Sequence, residues 1–261
     1  MTNLYQSRWF QVFRPVATPA LRLFCFPYAG GNAKLFAAWH ERLPREVEVV
    51  AVQYPGRGMR FAEQPIACCT QMVNELLAQI RQFTNMPFAL FGHSNGGLIS
   101  FELARALQEA GNTQQRHHFL SAALPAHLAK ESTLLHNLPD GEFRRRLAEL
   151  GGTPPELLAD RELMDLLLPV LRADFSLSET YCHRRGAALR VGATLLHGRE
   201  DRGISQEVIL RWGELIDGPV GLECYPGGHF FINTQRDAVL TFLNGKLRDL
   251  LDDSGITRRR A

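Results

Sequence analysis

Residues 88–97 read FALFGHSNGG, and this stretch decides the fold class of the chain. Its first four residues are apolar, as in a buried strand, and an apolar stripe at helical spacing starts at Leu98. Between them, Gly92, Ser94 and Gly96 form a G-x-S-x-G pattern, in which a serine on a tight strand-to-helix turn needs small neighbours. The bare pattern occurs by chance, but with a strand before it and a helix after it, it predicts a nucleophile elbow with Ser94 as the nucleophile.

Other short apolar runs predict further buried strands, at residues 21–27, 47–53, 119–124, 194–197 and 221–225. Apolar stripes at helical spacing lie at residues 72–80, 98–107 and 239–250. Strands alternating with helices predict a mostly parallel central sheet with helices on both faces and an active site at the carboxyl ends of the strands. Together with the elbow, this organisation predicts an α/β-hydrolase fold.

Residues 126–186 break the alternation, because they carry helical patterns and no convincing strand. Phe143, Leu147 and Leu150 form one apolar stripe, GGTPP at 151–155 interrupts it, and residues 163–171 form another. A strand–helix pattern resumes afterwards, so we predict a single domain over residues 1–261 with a helical lid inserted at about 126–186. The pattern leaves open whether this lid shapes a substrate pocket or only adds a helical layer.

The general base is sought among nine histidines, because a serine hydroxyl is a weak nucleophile until a base takes its proton. In nucleophile-elbow enzymes the order along the chain is Ser, acid, His. His229 lies in PGGHF at 226–230, directly after the last predicted strand, where a glycine-rich loop presents a side chain over the sheet. We predict that it is the base. The weaker candidates precede a predicted strand, fall in the lid or lie inside a strand: His117, His118, His127, His136, His183 and His197.

The acid is expected after a strand, between Ser94 and His229. The sequence LLHGRED at 195–201 supplies a strand, a glycine turn and two carboxylates. We prefer Asp201, because its shorter side chain holds an imidazole more rigidly than that of Glu200. Glu200 stays open as an alternative, and Asp174 is a more distant one.

Hydrolysis of an acyl group also needs donors for the oxyanion. One is expected to be the backbone N–H of Asn95, directly after the nucleophile. The other is assigned to the backbone of Ala29, in the glycine-rich loop YAGGN at 28–32 after the first predicted strand. The same glycine pair could belong to a phosphate loop, but the G-x-x-x-x-G-K spacing is absent.

Composition excludes several classes of function. The chain has 261 residues and a formal net charge of +2, which is too small to indicate a nucleic-acid partner. Five irregularly spaced cysteines form neither a disulfide framework nor a zinc motif, and they fit a cytoplasmic location. The longest apolar stretch, at residues 166–171, is too short to cross a bilayer, and residues 1–14 carry arginines where a secretory leader needs an apolar core. We expect a soluble, cytoplasmic monomer without a membrane partner, metal or cofactor.

Five motifs of the chain resemble those of the type II thioesterases that accompany nonribosomal peptide and polyketide synthases. They are FPYAGG at 26–31, QYPGR at 53–57, GHS at 92–94, LRADF at 171–175 and GGHF at 227–230. The resemblance implies an external editing enzyme that hydrolyses acyl groups wrongly loaded on the 4′-phosphopantetheine arm of acyl or peptidyl carrier proteins. It also implies a catalytic triad of Ser94, Asp201 and His229 under a helical lid, with the amides of Ala29 and Asn95 as oxyanion donors.

The chain departs from this family pattern at two positions. Asn95 stands where the family usually has methionine, and Arg202 follows the proposed acid where proline is frequent. Neither change removes a group that the reaction needs. Alternative functions are a medium-chain fatty acyl thioesterase, a general carboxylesterase, an acyltransferase and a silent binding module for acylated carrier proteins. Because carrier proteins are generally acidic, we hypothesise that they dock on the arginines at 144–146.

Overall fold

The computed structural model describes residues 4–128 and 134–253, which form a seven-stranded sheet surrounded by helices. The strands are β1 (Phe10–Gln11), β2 (Leu21–Phe26), β3 (Val47–Val52), β4 (Phe88–His93), β5 (Gln115–Ser121), β6 (Ala193–Gly198) and β7 (Val220–Tyr225). Their order across the sheet is β1-β3-β2-β4-β5-β6-β7, and only β1 and β3 pair antiparallel. The predicted mostly parallel α/β architecture is confirmed.

Helices fill most of the connections between the strands. The α-helices of the described residues are α1 (Cys69–Ile80), α2 (Asn95–Glu109), α3 (Asp140–Leu150), α4 (Pro155–Ala159), α5 (Arg161–Glu179), α6 (Gln206–Leu210), α7 (Phe231–Thr234) and α8 (Arg236–Asp253). Short 3-10 helices lie at Leu4–Gln6, Ala33–Phe36, Trp39–Glu41, Gly58–Arg60, Arg81–Phe83, Leu135–Asn137 and Arg211–Leu215. Of the helices in residues 4–128 and 134–253, none is long and apolar enough to cross a membrane.

The central strands are apolar on both faces because each face is covered by helices. Successive residues of a strand point to opposite faces, so Phe24 belongs to the apolar core beneath α1 and α2, whereas Cys25 belongs to the core beneath α8. All six residues of β4 are buried. The sheet is therefore a rigid base whose loops can hold side chains at its carboxyl edge.

Between β5 and β6, the described part of residues 126–186 contains helices and no strand, as the sequence predicts; residues 129–133 lie outside the described residues. This segment has a small apolar core of its own, formed by Leu135, Phe143, Leu147, Met164, Leu168 and Leu171. Asp160 begins α5 as an N-cap, because its side chain accepts a hydrogen bond from Leu163 N. The role of this segment as a lid within one domain stays a prediction.

The fifth strand corrects the sequence-based assignment. It covers Gln115–Ser121 instead of residues 119–124, so His117 and His118 lie inside a strand rather than before one. Both rings are buried, with His117 Nε2 2.8 Å from Thr194 Oγ1 and His118 Nε2 3.0 Å from Ser100 Oγ. The polar first half of the strand concealed it, because the apolar run begins only at Phe119.

The edge strand β1 is absent from the sequence-based assignment. It has two residues, which are too few to show the alternation that marks a strand.

Candidate active site

Ser94 lies at the sharp turn between β4 and α2, with a φ of 53° and a ψ of −117°. A positive φ is unfavourable for a residue with a Cβ, and such strain is typical of functional turns. A Cβ on Gly92 would lie 2.2 Å from the carbonyl oxygen of Gly96, and one on Gly96 would lie 2.1 Å from that of Phe26. The glycines of the G-x-S-x-G pattern are therefore required by the close approach of three backbone segments.

The structure brings Ser94, His229 and Asp201 into one chain of hydrogen bonds. Ser94 Oγ is 2.9 Å from His229 Nε2, and His229 Nδ1 is 2.8 Å from Asp201 Oδ2. The carboxylate can only accept, so we assign the ring proton to Nδ1, which leaves Nε2 as an acceptor for the serine hydroxyl. The three residues follow β4, β7 and β6, at the carboxyl edge of the sheet.

Asp201 is held as a charged carboxylate. Its side chain is 1% exposed, and Oδ1 accepts hydrogen bonds from the backbone N–H groups of Gly203 (2.9 Å) and Ile204 (3.2 Å). Burial raises the pKa of Asp201, but the hydrogen bond from His229 and those two backbone donors outweigh it and hold the pKa below its ordinary value. The carboxylate can therefore orient the imidazole and stabilise its protonated form.

The alternative acids have other partners. The carboxylate of Glu200 accepts a hydrogen bond from Gly227 N, so it holds the loop of His229 rather than its ring. Asp174 pairs with Arg57.

The other candidate histidines are also engaged elsewhere. His127 lies 2.9 Å from Glu214 and His136 lies 2.6 Å from Glu179, while His183 is 3.9 Å from Glu102 and His197 is buried in β6. None of these contacts involves Ser94.

The two predicted oxyanion donors lie on adjacent backbone segments. Gly31 N donates to Tyr28 O at 2.9 Å, and the φ of Gly30 is +77°, which closes a type II turn around Ala29. Phe26, the last residue of β2, lies just before this turn, and its backbone carbonyl packs closely against Gly96. Asn95 is the first residue of α2, where the helix dipole favours a developing negative charge.

Aromatic rings surround the base. The Phe230 ring lies 5.0 Å from the His229 ring and 5.1 Å from that of Tyr28, measured between centroids. A Cβ on Gly152 would lie 2.3 Å from Phe230 Cζ, so the loop between α3 and α4 packs directly on this ring. Behind it, His93 is fully buried, its Nδ1 is 2.9 Å from Ser121 Oγ, and burial holds its pKa well below the ordinary value. His93 is therefore neutral.

A buried ion pair that sequence reasoning missed joins the site to α5. Arg57 Nη1 is 2.5 Å from Asp174 Oδ2 and Nη2 is 2.8 Å from Oδ1, and the two side chains are 4% and 5% exposed. Both residues lie in quoted motifs, QYPGR and LRADF, but they are 117 positions apart and nothing in the sequence pairs them. The sequence offers only a weak signal, which is that Asp174 stands between the apolar residues Ala173 and Phe175.

The arrangement suits nucleophilic acyl transfer through a serine ester. In the part of the chain that the structure describes, no group of three or more His, Cys, Asp or Glu side chains is placed to hold a metal ion.

Residues 21–247 match the family model described as the thioesterase domain. The gramicidin S biosynthesis protein GrsT of Aneurinibacillus migulanus is 37% identical over 96% of this chain and 98% of its own length. Thioesterase PikA5 of Streptomyces venezuelae is 36% identical over 89% of this chain and 83% of its own. The solved structure of the type II thioesterase BorB from the borrelidin biosynthetic cluster superposes with a TM-score of 0.84 at 35% identity, covering 93% of this chain and 97% of that one.

Proposed function

The chain belongs to the thioesterase family, and from that premise we propose that it is an editing enzyme of nonribosomal peptide and polyketide synthases. It would hydrolyse unwanted acyl thioesters from the 4′-phosphopantetheine arm of carrier-protein domains. The observation that carries the proposal is the hydrogen-bonded chain from Ser94 through His229 to Asp201, in a protein that aligns with a type II thioesterase over 93% of its length.

In the first half of the proposed reaction, Ser94 Oγ attacks the thioester carbonyl carbon while His229 Nε2 takes the hydroxyl proton. The carbonyl oxygen becomes an oxyanion, which the N–H groups of Ala29 and Asn95 stabilise. The intermediate collapses, the C–S bond breaks, and the protonated His229 returns its proton to the pantetheine sulfur. The free carrier thiol and an acyl ester on Ser94 are the products.

The second half repeats the same steps with water as the nucleophile. His229 takes a proton from water, whose oxygen attacks the ester carbonyl, and the oxyanion forms between the same two amides. When the C–O bond to Ser94 breaks, His229 returns the proton to the serine oxygen. A free carboxylic acid leaves, and the atoms and charges balance without a cofactor.

The helical segment at about 126–186 is proposed as a lid within a single domain of 261 residues. Two contacts support this: the loop after α3 packs on Phe230 beside the base, and a Cβ on Gly30 would meet Leu171 Cδ2 of α5 at 2.8 Å. A lid that covers the acyl-enzyme would exclude water until the carrier departs. We also propose that the enzyme works as a monomer and that it is cytoplasmic; its five free cysteines are in keeping with that location.

The docking hypothesis for the arginines at 144–146 receives no support from their surroundings. Arg144 lies 2.5 Å from Asp165, whereas Arg145 and Arg146 lie 2.8 Å and 2.6 Å from Glu149. The surface carries both signs of charge, so it offers no net positive patch to an acidic carrier.

The proposal is tested by hydrolysis of an acetyl group from a phosphopantetheinylated carrier protein. Native enzyme, Ser94→Ala and the control Ser7→Ala are compared on this thioester and on a simple oxygen ester. Ser7→Ala removes a hydroxyl that accepts only a local hydrogen bond from Trp9 N, so it controls for the loss of a serine. We expect hydrolysis that depends on Ser94, is unaffected by Ser7→Ala, and is faster on the carrier thioester than on the ester.

Other outcomes would identify other functions. Equal or faster hydrolysis of the oxygen ester would indicate a general carboxylesterase. A strong preference for medium-length acyl chains would indicate a fatty acyl thioesterase. Tight binding of acyl carriers with no Ser94-dependent turnover would indicate a binding module and overturn the proposal.

A further inference from the structure

Asp174, in the C-terminal half of α5, contacts both backbone segments that carry the proposed oxyanion donors. Its carboxylate oxygen Oδ2 accepts a hydrogen bond of 2.7 Å from Gly30 N, in the residue after Ala29. Its main-chain carbonyl oxygen accepts one of 2.7 Å from the side-chain amide of Asn95. One residue therefore holds two loops whose relative placement decides where an oxyanion can bind.

The contact with Gly30 fixes the peptide that defines the turn. A type II turn differs from a type I turn by the orientation of its central peptide, here the one between Ala29 and Gly30. The carboxylate of Asp174 accepts the N–H of this peptide and so holds it in the type II orientation. Closure of the turn by the bond from Gly31 N to Tyr28 O points the preceding N–H, that of Ala29, away from the turn.

The contact with Asn95 holds the second segment. Asn95 Nδ2 reaches the carbonyl oxygen of Asp174 from the first turn of α2, directly after the nucleophile. The family's usual methionine could not make this hydrogen bond, because a thioether has no N–H to donate. The side chain of Asn95 thereby links the elbow to α5 while its backbone N–H stays available.

We propose that Asp174 is a positioning residue that sets the separation and orientation of the two oxyanion donors, with Asn95 as its second contact and Arg57 as its counter-ion. The inference rests on the proposed function, since it assumes that the amides of Ala29 and Asn95 stabilise an oxyanion. Asp174 itself touches no reacting atom. It acts through the backbone of the two loops.

The role of Arg57 follows from charge. A bare buried carboxylate beside the donors would repel a developing oxyanion and would be costly to desolvate. The guanidinium of Arg57 neutralises it with two parallel hydrogen bonds, a geometry that lysine cannot provide. Arg57 Nε in turn donates to the carbonyl oxygen of Pro55 at 3.2 Å, which holds the guanidinium in its orientation toward Asp174.

The experiment compares two double variants that leave no unpaired charge: Arg57→Met with Asp174→Asn, and Arg57→Met with Asp174→Leu. Asparagine keeps a side-chain oxygen that can accept from Gly30 N, whereas leucine has similar size and no acceptor. The matched control makes the corresponding changes at an arginine–carboxylate pair at the amino ends of the strands, whose carboxylate is also buried: Arg22→Met with Glu48→Gln or Glu48→Leu. For each variant, kcat and KM on acetyl-carrier protein and the thermal midpoint Tm are measured.

We expect the leucine variant at 174 to have a kcat about 10- to 100-fold below that of the asparagine variant, with KM within about threefold, because misplacing an oxyanion donor weakens only transition-state binding. The two control variants should differ in Tm and share the same kcat. If the leucine variant at 174 does not fold, Asn95→Leu decides the question, because it removes the second contact from a partly exposed side chain. Its kcat should fall several-fold at unchanged KM.

Equal kcat values for the two folded variants at 174 would overturn the inference and leave the proposed function standing, as would an unchanged kcat of Asn95→Leu where it decides. An equal kcat difference at the control pair would also overturn it, because the effect would then report general destabilisation. A native enzyme that does not hydrolyse acetyl-carrier protein would remove the proposed function and the inference together.

Discussion

Two arginine–carboxylate pairs whose carboxylates are buried lie at opposite ends of the sheet, and they differ in what else the carboxylate holds. Arg22 and Glu48 are register partners near the amino ends of β2 and β3, with Arg22 Nε 2.9 Å from Glu48 Oε2. The remaining oxygen, Oε1, accepts from the hydroxyl of Tyr5 and the backbone N–H of Val16. This carboxylate ties the segment from Tyr5 to Val16 to the sheet.

The second pair, Arg57 and Asp174, lies beyond the carboxyl ends of the strands. Its carboxylate accepts from Gly30 N, and the carbonyl of Asp174 accepts from Asn95, so it joins α5 to the loops around Ser94. The chemistry of the two pairs is the same, but parallel strands carry their functional loops at only one edge. The edge of the sheet at which each pair lies therefore predicts its effect. The pair at the amino ends should affect stability alone, and the pair at the carboxyl ends should affect both stability and turnover.

The largest effect should come from the carboxyl edge, at Asp201. Asp201→Asn should lower kcat by about 10⁴-fold, because an amide cannot stabilise the imidazolium and favours the wrong tautomer of His229. The free energy of unfolding should change far less than kcat. Steady-state kinetics on acetyl-carrier protein and chemical denaturation measure the two quantities.

Glu200→Gln is the matched control, since it makes the same chemical change in the adjacent residue and keeps an oxygen for Gly227 N. Its kcat should stay within about tenfold of the native value, because its side chain does not contact the imidazole. Retention of most of the activity by Asp201→Asn would refute the assignment of the acid.

The next largest effect should come from the pair at the amino ends of the strands, and it should lower stability without changing kcat. Glu48→Leu leaves the Arg22 guanidinium without its carboxylate, and we expect it to lower the free energy of unfolding by about 3–5 kcal/mol. At temperatures where the variant is folded, its kcat should match that of the native enzyme. Urea denaturation and kinetics on the same preparation test both parts, and a parallel fall in kcat would erase the contrast between the two ends.

An effect that is smaller for each pH unit is expected from protonation of the neutral histidines inside the sheet. Burial, with the positive charge of Lys246 nearby, lowers the pKa of His117 to about 4, and burial lowers that of His118 to about 3. The unfolded chain protonates both rings below their ordinary pKa of 6.5, so it binds more protons than the folded chain there. The free energy of unfolding should therefore fall as the pH drops from 6.5 to 4, by about 1.4 kcal/mol per pH unit for each ring.

This pH dependence is measured by urea denaturation between pH 7 and pH 4, with His118→Gln as the test variant. Glutamine does not titrate, so the slope should decrease by the share of one histidine. An unchanged slope would show that His118 is already protonated in the folded chain or that its pKa is ordinary. Since His118 bonds only to Ser100 among the side chains around it, the variant should keep its kcat.

The sequence predicted the elements whose signal is local. Five of the six predicted strands match β2, β3, β4, β6 and β7 to within about two residues, because each is a short apolar run bounded by turns. The G-x-S-x-G pattern likewise predicts the close backbone contacts at Gly92 and Gly96. The structure also brings Ser94, Asp201 and His229 together, with hydrogen bonds that link Ser94 to His229 and His229 to Asp201. Their catalytic roles stay predictions.

What the sequence could not supply depends on contacts between distant segments. Arg57 and Asp174 meet because α5 packs on the loop of Gly30, and no periodicity in the sequence indicates that contact. The start of β5 was concealed because His117 and His118 find hydrogen-bond partners on other elements, which makes polar residues acceptable in a buried strand. In both cases a buried polar side chain is stabilised by a hydrogen-bond partner that is distant in the sequence.

The smallest effect on stability should come from an exposed ion pair. Comparison with the pairs above then shows how much of their effect is due to burial. Arg145 lies 2.8 Å from Glu149, but the two side chains are 61% and 45% exposed. Solvent screens such i,i+4 pairs, so Arg145→Gln should lower the free energy of unfolding by less than about 0.5 kcal/mol. Because the surrounding carboxylates already balance these arginines, KM for acetyl-carrier protein should stay within about twofold of the native value. A tenfold rise in KM with unchanged stability would instead establish this surface as the docking site for the carrier, and would show that a charge can matter for recognition where it contributes nothing to folding.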